Sequence, residues 1–167
     1  MQIEIDIHSR HIYYDVGMIT HVVMNREIAS GATQEQAFNY ANTDDYSGEV
    51  HLIARFKENA IYELVAAMGK YIEEYELDSE NTFEKADEET HTFVVNVPDN
   101  FRKSYVDPLR VKLHEYVVNR ILYDWFMSAK PDEAKIYEEK FNNALDKAKS
   151  YLNRRTGISR LKPYPLI

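Results

Sequence analysis

The sequence predicts a mainly α-helical fold, a bundle of about four to five helices with a small β element. Apolar residues recur near the 3.6-residue helical period in several long stretches. Two other stretches indicate strands, because Ile3, Ile5 and Ile7 repeat every second residue, and Thr90 to Val97 is rich in β-branched residues. The chain has 167 residues. That length fits one domain, since domains commonly run to roughly 100–200 residues.

The first predicted helix spans residues 9 to 30. Ser9 is a candidate N-cap, and Gly31 is a natural stop because glycine tolerates the left-handed backbone that commonly follows a helix. Thr33 and Gln36 then have the spacing of a capping box, which predicts one or two further helical turns through Ala41.

A long helix is predicted from about Tyr46 to Leu77, with Gly69 as a place where it can bend or contact a neighbour closely. Residues 78 to 89 are polar and acidic, which favours a loop before the strand near 90–97. The strand ends at Pro98, which cannot continue a backbone ladder.

Two helices close the predicted domain. Asp107 and Pro108 offer an N-cap carboxylate and a first-turn proline for a helix that runs to Ala129. Pro131 opens the last helix, and the short turn between the two predicts antiparallel neighbours. We therefore expect one helical domain over residues 1–155, with a strand-containing excursion at 78–103, and an extended arm over 156–167.

Charge is unevenly distributed along a chain whose net charge is −8. Nine carboxylates and one lysine lie between Glu73 and Glu89, whereas no acidic side chain follows Asp146. The negative total argues against broad nucleic-acid binding, which depends on attraction to phosphates. The two oppositely charged segments are either separate solvated surfaces or complementary faces of neighbouring copies.

The sequence lacks the patterns of common catalytic and metal sites. There is no cysteine, which excludes disulfides, thiolate metal ligands and a cysteine nucleophile. Phosphate-binding loops, dinucleotide fingerprints and nucleophile elbows are also missing. His8 and His11 lie near Asp6 and Asp15, but such spacings are common. We therefore predict no catalytic residue, no cofactor and no metal ligand, and expect the chain not to be an enzyme.

A second metal pattern, Glu88-x-x-His91, matches one half of a di-iron signature. That signature needs a second such pair and two more glutamates, which the sequence does not offer. The thirteen tyrosines are more informative. Most are expected to pack at the edge of the core, but tyrosine also suits protein interfaces because it combines a large apolar ring with a polar tip.

The segment after the last helix is basic, apolar and interrupted by two prolines, so it is predicted to be extended. Apolar side chains on an extended segment suit a groove or a sheet edge of a partner protein. The predicted partner-docking residues are Arg154, Arg155, Arg160, Leu161, Lys162, Pro163, Tyr164, Pro165, Leu166 and Ile167.

The order of the elements in the C-terminal half resembles a known family. A helix ending near Tyr75 precedes a polar excursion with a strand, and two long helices follow. Most of the similarity lies in Val118-Asn-Arg-Ile-Leu-Tyr-Asp-Trp125 and in the helix from Tyr137 to Arg155. Over roughly residues 46 to 160 the chain resembles the small helical head–tail connector (adaptor) proteins of tailed bacteriophages, particularly neck-type proteins from phages and prophages of gut Bacteroidota.

The resemblance implies a structural virion protein at the neck, assembled in the host cytoplasm, that links the portal to the tail. It implies a ring of identical copies, often twelve, whose C-terminal arms dock on the portal or on a neighbouring copy. Its partners would be the portal and tail or neck proteins, with passive contact to DNA in a channel and none to a membrane. The alternative is a non-viral regulatory or protein-binding helical module.

Overall fold

A computed structural model of the chain describes residues 1–41, 49–77 and 89–155. The fold is mainly helical with a small antiparallel sheet, which confirms the predicted fold class. In chain order the elements are β1 (Gln2–His8), α1 (Ser9–Ala29), α2 (Gln34–Ala41), α3 (Glu49–Ala67), β2 (Ile72–Leu77), β3 (Thr90–Asn96), α4 (Val106–Ala129) and α5 (Pro131–Leu152). A single 3₁₀ turn, Lys103–Tyr105, precedes α4.

The ends of α1 agree with the prediction at one terminus only. Gly31 has a φ of +102°, a backbone region that favours glycine, and it follows the last turn of the helix as expected. Ser9, however, is the first residue of α1 and not its cap, because His8 has the extended backbone of the N-cap position. The Ser9 side chain is buried instead. Thr33 and Gln36 form the predicted capping box, with each backbone N–H 3.2 Å from the other side chain's oxygen.

The predicted helix over 46–77 is wrong in its last third. The helix α3 ends at Ala67, a turn over residues 68–71 reverses the chain, and residues 72–77 form strand β2. The turn is closed by the backbone N–H of Ile72, which donates to the carbonyl of Met68 at 3.0 Å. Pairing with β3 gives hydrogen-bond partners to one side of the backbone of 72–77, so tertiary contact overrides the apolar spacing.

The sheet has the order β1-β3-β2, and both pairs of strands are antiparallel. The strand near 90–97 is therefore central, and the N-terminal strand lies at one edge. One face of the sheet is buried, because Ile5 and Ile7 of β1 and Phe93 and Val95 of β3 are at most 2% exposed. The helices cover this face.

Helices α4 and α5 form the predicted antiparallel pair. Phe126 stacks on Tyr137 with 5.6 Å between ring centroids, and Tyr116 meets Phe141 edge to face at 5.7 Å. The helix α4 begins at Val106, so Asp107 lies in its first turn and is not its cap. There Asp107 accepts a hydrogen bond from Arg110 at 2.8 Å.

The chain after α5 returns to the region that precedes α4. Arg155 forms an isolated antiparallel bridge with Phe101, and the backbone N–H of Arg102 donates to the carbonyl of Arg154 at 3.2 Å. The predicted arm, 156–167, lies outside the described residues, as does the predicted acidic loop over 78–89 apart from its last residue, Glu89. None of the described helices is long and apolar enough to span a membrane.

Candidate functional site

Five polar side chains meet inside the protein, where sequence patterns predicted no site. We call Ser9, Lys57, Glu58, Glu89 and His91 the buried polar cluster. Each of them is at most 5% exposed. Burying ionisable groups is unfavourable unless they are paired, so five together at one place require a physical explanation.

Three parts of the fold bring the cluster together. Ser9 opens α1, and its backbone N–H donates to the carbonyl of Glu89 at 2.9 Å. Lys57 lies on the core-facing side of α3, between the buried Ile53 and Ile61. His91 is on β3, two residues before Phe93 and therefore on the same buried face of the sheet.

Lys57 and Ser9 are the centre of the hydrogen bonding. The Lys57 ammonium forms an ion pair with the Glu89 carboxylate and donates to Ser9 Oγ at 3.1 Å. Ser9 Oγ in turn donates to Glu89 Oε2 at 3.2 Å and lies 3.0 Å from His91 Nε2. The other ring nitrogen of His91, Nδ1, is 2.9 Å from the Tyr75 hydroxyl.

Glu58 is the least satisfied member of the cluster. The Lys57 ammonium is 3.4 Å from its Oε1, but neither carboxylate oxygen has a hydrogen-bond partner. Oε1 of Glu89 also lacks one. Burial raises the pKa of Glu58, and the neighbouring Lys57 charge offsets only part of that effect. The cluster thus has more acceptor atoms than donors.

His91 is held in its neutral form. Burial, reinforced by the positive charge of Lys57, lowers its pKa to about 4, although Glu89 acts in the opposite direction. Burial likewise raises the pKa of Tyr75. At neutral pH the cluster therefore offers an uncharged imidazole beside two carboxyl groups and one ammonium. Such a set can hold a cation or exchange protons.

A groove on the surface contains the histidines singled out from the sequence. It has a volume of about 650 Å³, and its described lining includes His8, His11, Asp15, Arg110 and His114. The rings of His8 and His11 meet edge to face at 5.4 Å, and His114 Nε2 is 2.8 Å from Asp15 Oδ2. Within the described ranges the potential metal ligands that converge are Glu58, Glu89 and His91, and not these groove residues.

An exposed apolar stripe follows the solvent side of α1. Tyr14, Met18 and Val22 recur every fourth residue and are 66%, 50% and 62% exposed. The opposite side of the helix is buried and includes Ile12, Val16 and Val23. Tyr14 also lines the groove, together with the exposed Val111 of α4, so the stripe and the groove are continuous.

Of the predicted docking residues, the structure describes Arg154 and Arg155, and both are exposed at the end of the fold. The other eight, from Arg160 to Ile167, lie outside the described residues. Glu88 of the Glu88-x-x-His91 pattern does too. Glu89, the last residue of the predicted acidic loop, is buried in the cluster, where pairing with Lys57 compensates for its burial.

Two signals in the sequence could have indicated the cluster. Lys57 interrupts the apolar stripe of α3, and His91 takes an inward position in the alternation of β3. Neither signal identifies the partner residues. Comparison with known proteins adds no assignment, since no protein-family model, curated protein or solved structure matches this chain.

Proposed function

We propose that this protein is a structural subunit of a larger assembly, a head–tail connector of a tailed bacteriophage that joins portal and tail through protein contacts. The observation that carries the proposal is the exposed apolar stripe of Tyr14, Met18 and Val22. The connector identity itself rests on the resemblance of the C-terminal half to adaptor proteins.

The stripe is unusual for a protein that acts as an isolated monomer. Single exposed apolar residues are ordinary, but three large ones on the same side of a helix form a continuous patch. Covering the patch removes apolar surface from water, at about 25 cal/mol per Å². The groove extends the patch toward α4 and places Asp15, Arg110 and His114 at its side. Polar groups beside an apolar patch are typical of protein interfaces.

The C-terminal arm is the second proposed contact. The bridge between Arg155 and Phe101 holds the last described residue before the arm against the fold. The arm contains Arg160 and Lys162 but no acidic residue. We propose that it docks on the portal or on a neighbouring copy, as the resemblance implies.

A ring is the assembly that fits these two contacts. In a ring, one surface of each copy contacts a different surface of the next copy. Neither surface therefore has to be complementary to itself. The acidic segment that begins at Glu73, apart from the buried Glu89, and the basic end after Asp146 are suited to such head-to-tail pairing, which oppositely charged surfaces orient. The site of action would be the virion neck, after assembly in the host cytoplasm.

Substitutions in the stripe test the proposal. Met18→Glu with Val22→Glu introduces two charges into the patch and should abolish oligomers seen by light scattering. Ile136→Glu is the matched control, because Ile136 is an exposed apolar residue of α5, 44% accessible, outside the stripe. Both proteins should keep the circular dichroism of the wild type. Oligomers that survive the double substitution would contradict a role for the stripe in assembly.

An alternative function is a regulatory or protein-binding module that uses the same stripe as a monomer or dimer. An enzyme is a third hypothesis, and it requires titratable groups around a pocket. The buried polar cluster supplies such groups, but its five residues are not among those that line the 650 Å³ groove. The stripe therefore favours protein binding over catalysis.

A further inference from the structure

We propose that the buried polar cluster binds a first-row divalent cation, with Glu58, Glu89 and His91 as its protein ligands. One potential ligand atom of each residue lies within 4.8 Å of the others. This site is independent of the proposed connector function, and it departs from the sequence prediction that the chain has no metal ligand.

The unsatisfied oxygens of the cluster are the main argument for a cation. Glu58 is 5% exposed and Glu89 is 2% exposed, yet three of their four carboxylate oxygens have no hydrogen-bond partner. A buried acceptor without a partner is costly. A cation between the two carboxylates would satisfy these atoms directly.

The surroundings of His91 suit a metal ligand. A metal-binding histidine must be neutral, and it usually donates its second ring N–H to a fixed partner. The Tyr75 hydroxyl oxygen, 2.9 Å from Nδ1, can accept a hydrogen bond from that N–H. The lone pair of Nε2 is then directed toward Ser9, on the side where Glu89 lies.

The ligand types select the class of ion. Two carboxylates and one imidazole form a mixed oxygen and nitrogen set, which suits Zn²⁺, Mn²⁺ or Fe²⁺. Calcium instead prefers six to eight oxygen ligands, typically from a loop of alternating acidic residues. Remaining coordination positions would be filled by Ser9 Oγ or by water.

Lys57 determines how tightly the ion binds. Its ammonium now lies between the two carboxylates, so it partly neutralises the charge that a cation would neutralise. Binding therefore requires the ammonium to withdraw. The ring of Tyr13 is a suitable destination, since the ammonium already lies 5.3 Å from its centroid. Metal affinity should thus be set by competition with an internal cation.

The test is zinc binding by the full chain after dialysis against EDTA. We expect isothermal titration with ZnCl₂ to show one site. Zinc at about 100 times its Kd should raise the unfolding midpoint by roughly 5–10 °C, because only the folded state brings the ligands together. Glu58→Gln should weaken zinc binding at least about tenfold. The same substitution should leave the unfolding midpoint of the metal-free protein nearly unchanged. Burial already disfavours the charged form of Glu58, and glutamine is an uncharged side chain of similar size.

Two further variants test the role of Lys57 and the location of the zinc site. Lys57→Met removes the competing ammonium and should bind zinc more tightly than the wild type. The double variant His11→Asn with His114→Asn removes histidines of the surface groove and should bind zinc as the wild type does. The proposal is overturned if the wild type shows no zinc-dependent shift, or if the groove variant loses the shift while Glu58→Gln retains it.

Discussion

Lys57 is a positive charge inside the protein, with 1% of its side chain exposed. Two carboxylates and a serine hydroxyl surround its ammonium group, and the pair with Glu89 is fully shielded from water. A buried pair of this kind adds little net stability compared with apolar residues, but removing one partner leaves an uncompensated charge. Substitution of one residue of the Lys57–Glu89 pair without its partner is therefore expected to destabilise the protein.

Loss of Lys57 alone is predicted to destabilise the protein strongly. In metal-free buffer, Lys57→Met should lower the free energy of unfolding by about 3–5 kcal/mol, because Glu89 is left buried without its partner. Chemical denaturation of the single and double variants measures this effect. Adding Glu89→Gln to Lys57→Met should restore part of the loss. Strictly additive losses would contradict the pairing.

The lowered pKa of His91 predicts how the free energy of unfolding depends on pH in protein freed of metal with EDTA. Its pKa is about 4 in the folded state, whereas an unfolded histidine titrates near 6.5. The unfolded state therefore takes up a proton first, and stability falls as the pH drops from 6.5 to 4. The loss should approach about 3 kcal/mol, at ~1.4 kcal/mol per pH unit.

Comparison with His91→Gln isolates this contribution, because glutamine has no proton to gain. Denaturation at pH 7 and pH 4.5 should show a smaller change in unfolding free energy for the variant than for the wild type. Lys57, Glu58 and Glu89 remain in both proteins, so their own titration largely cancels. Equal changes in the two proteins would show that His91 is not shielded as described.

The cluster illustrates what the sequence could not reveal at the residue scale. The interrupted apolar pattern at Lys57 and the inward position of His91 are both readable from the chain. Their partners are not, because Ser9 is 48 residues from Lys57 and 82 from His91. Only the fold brings such distant residues together, and no local pattern encodes that contact.

At the element scale, local signals predicted where most helices begin and end. Gly31 and Pro131 are boundaries that depend on the backbone of a single residue, and both predictions are confirmed. The end of α3 was missed because Ile72 and Tyr75 have a helical spacing, and in β2 they face the same side only because the register shifts between Ile72 and Glu74. Pairing with β3 decides between helix and strand, and that pairing is non-local.

Gly31 offers a direct test of a backbone-determined boundary. Its Cβ would meet no atom within 4 Å, so Gly31→Ala acts only through its φ of +102°. We expect a loss of about 1 kcal/mol in unfolding free energy. Gly69→Ala is the matched control, since Gly69 has an ordinary φ and its Cβ would lie 3.4 Å from the nearest oxygen. An equal effect of both substitutions would contradict this explanation.

At the scale of the whole molecule, the described residues form a helical pair and a small sheet around a common core, with one face of α1 left apolar and exposed. The second proposed contact is the basic segment that follows Arg155 in the sequence. We propose that both bind neighbouring copies and the proteins on either side of a ring. The resemblance of the C-terminal half implied that role, whereas the stripe on α1 is visible only in the fold, which shows the side of the helix that faces solvent.

The most direct test of the central claim is the mass of the purified chain in solution, measured by light scattering beside a variant that ends at Arg155. We predict that the full-length chain, 19.6 kDa as a monomer, forms ring-sized oligomers and that removing residues 156–167 shifts the mass toward that of a single truncated chain. A monomer or dimer whose mass does not depend on the arm would contradict the proposed connector assembly.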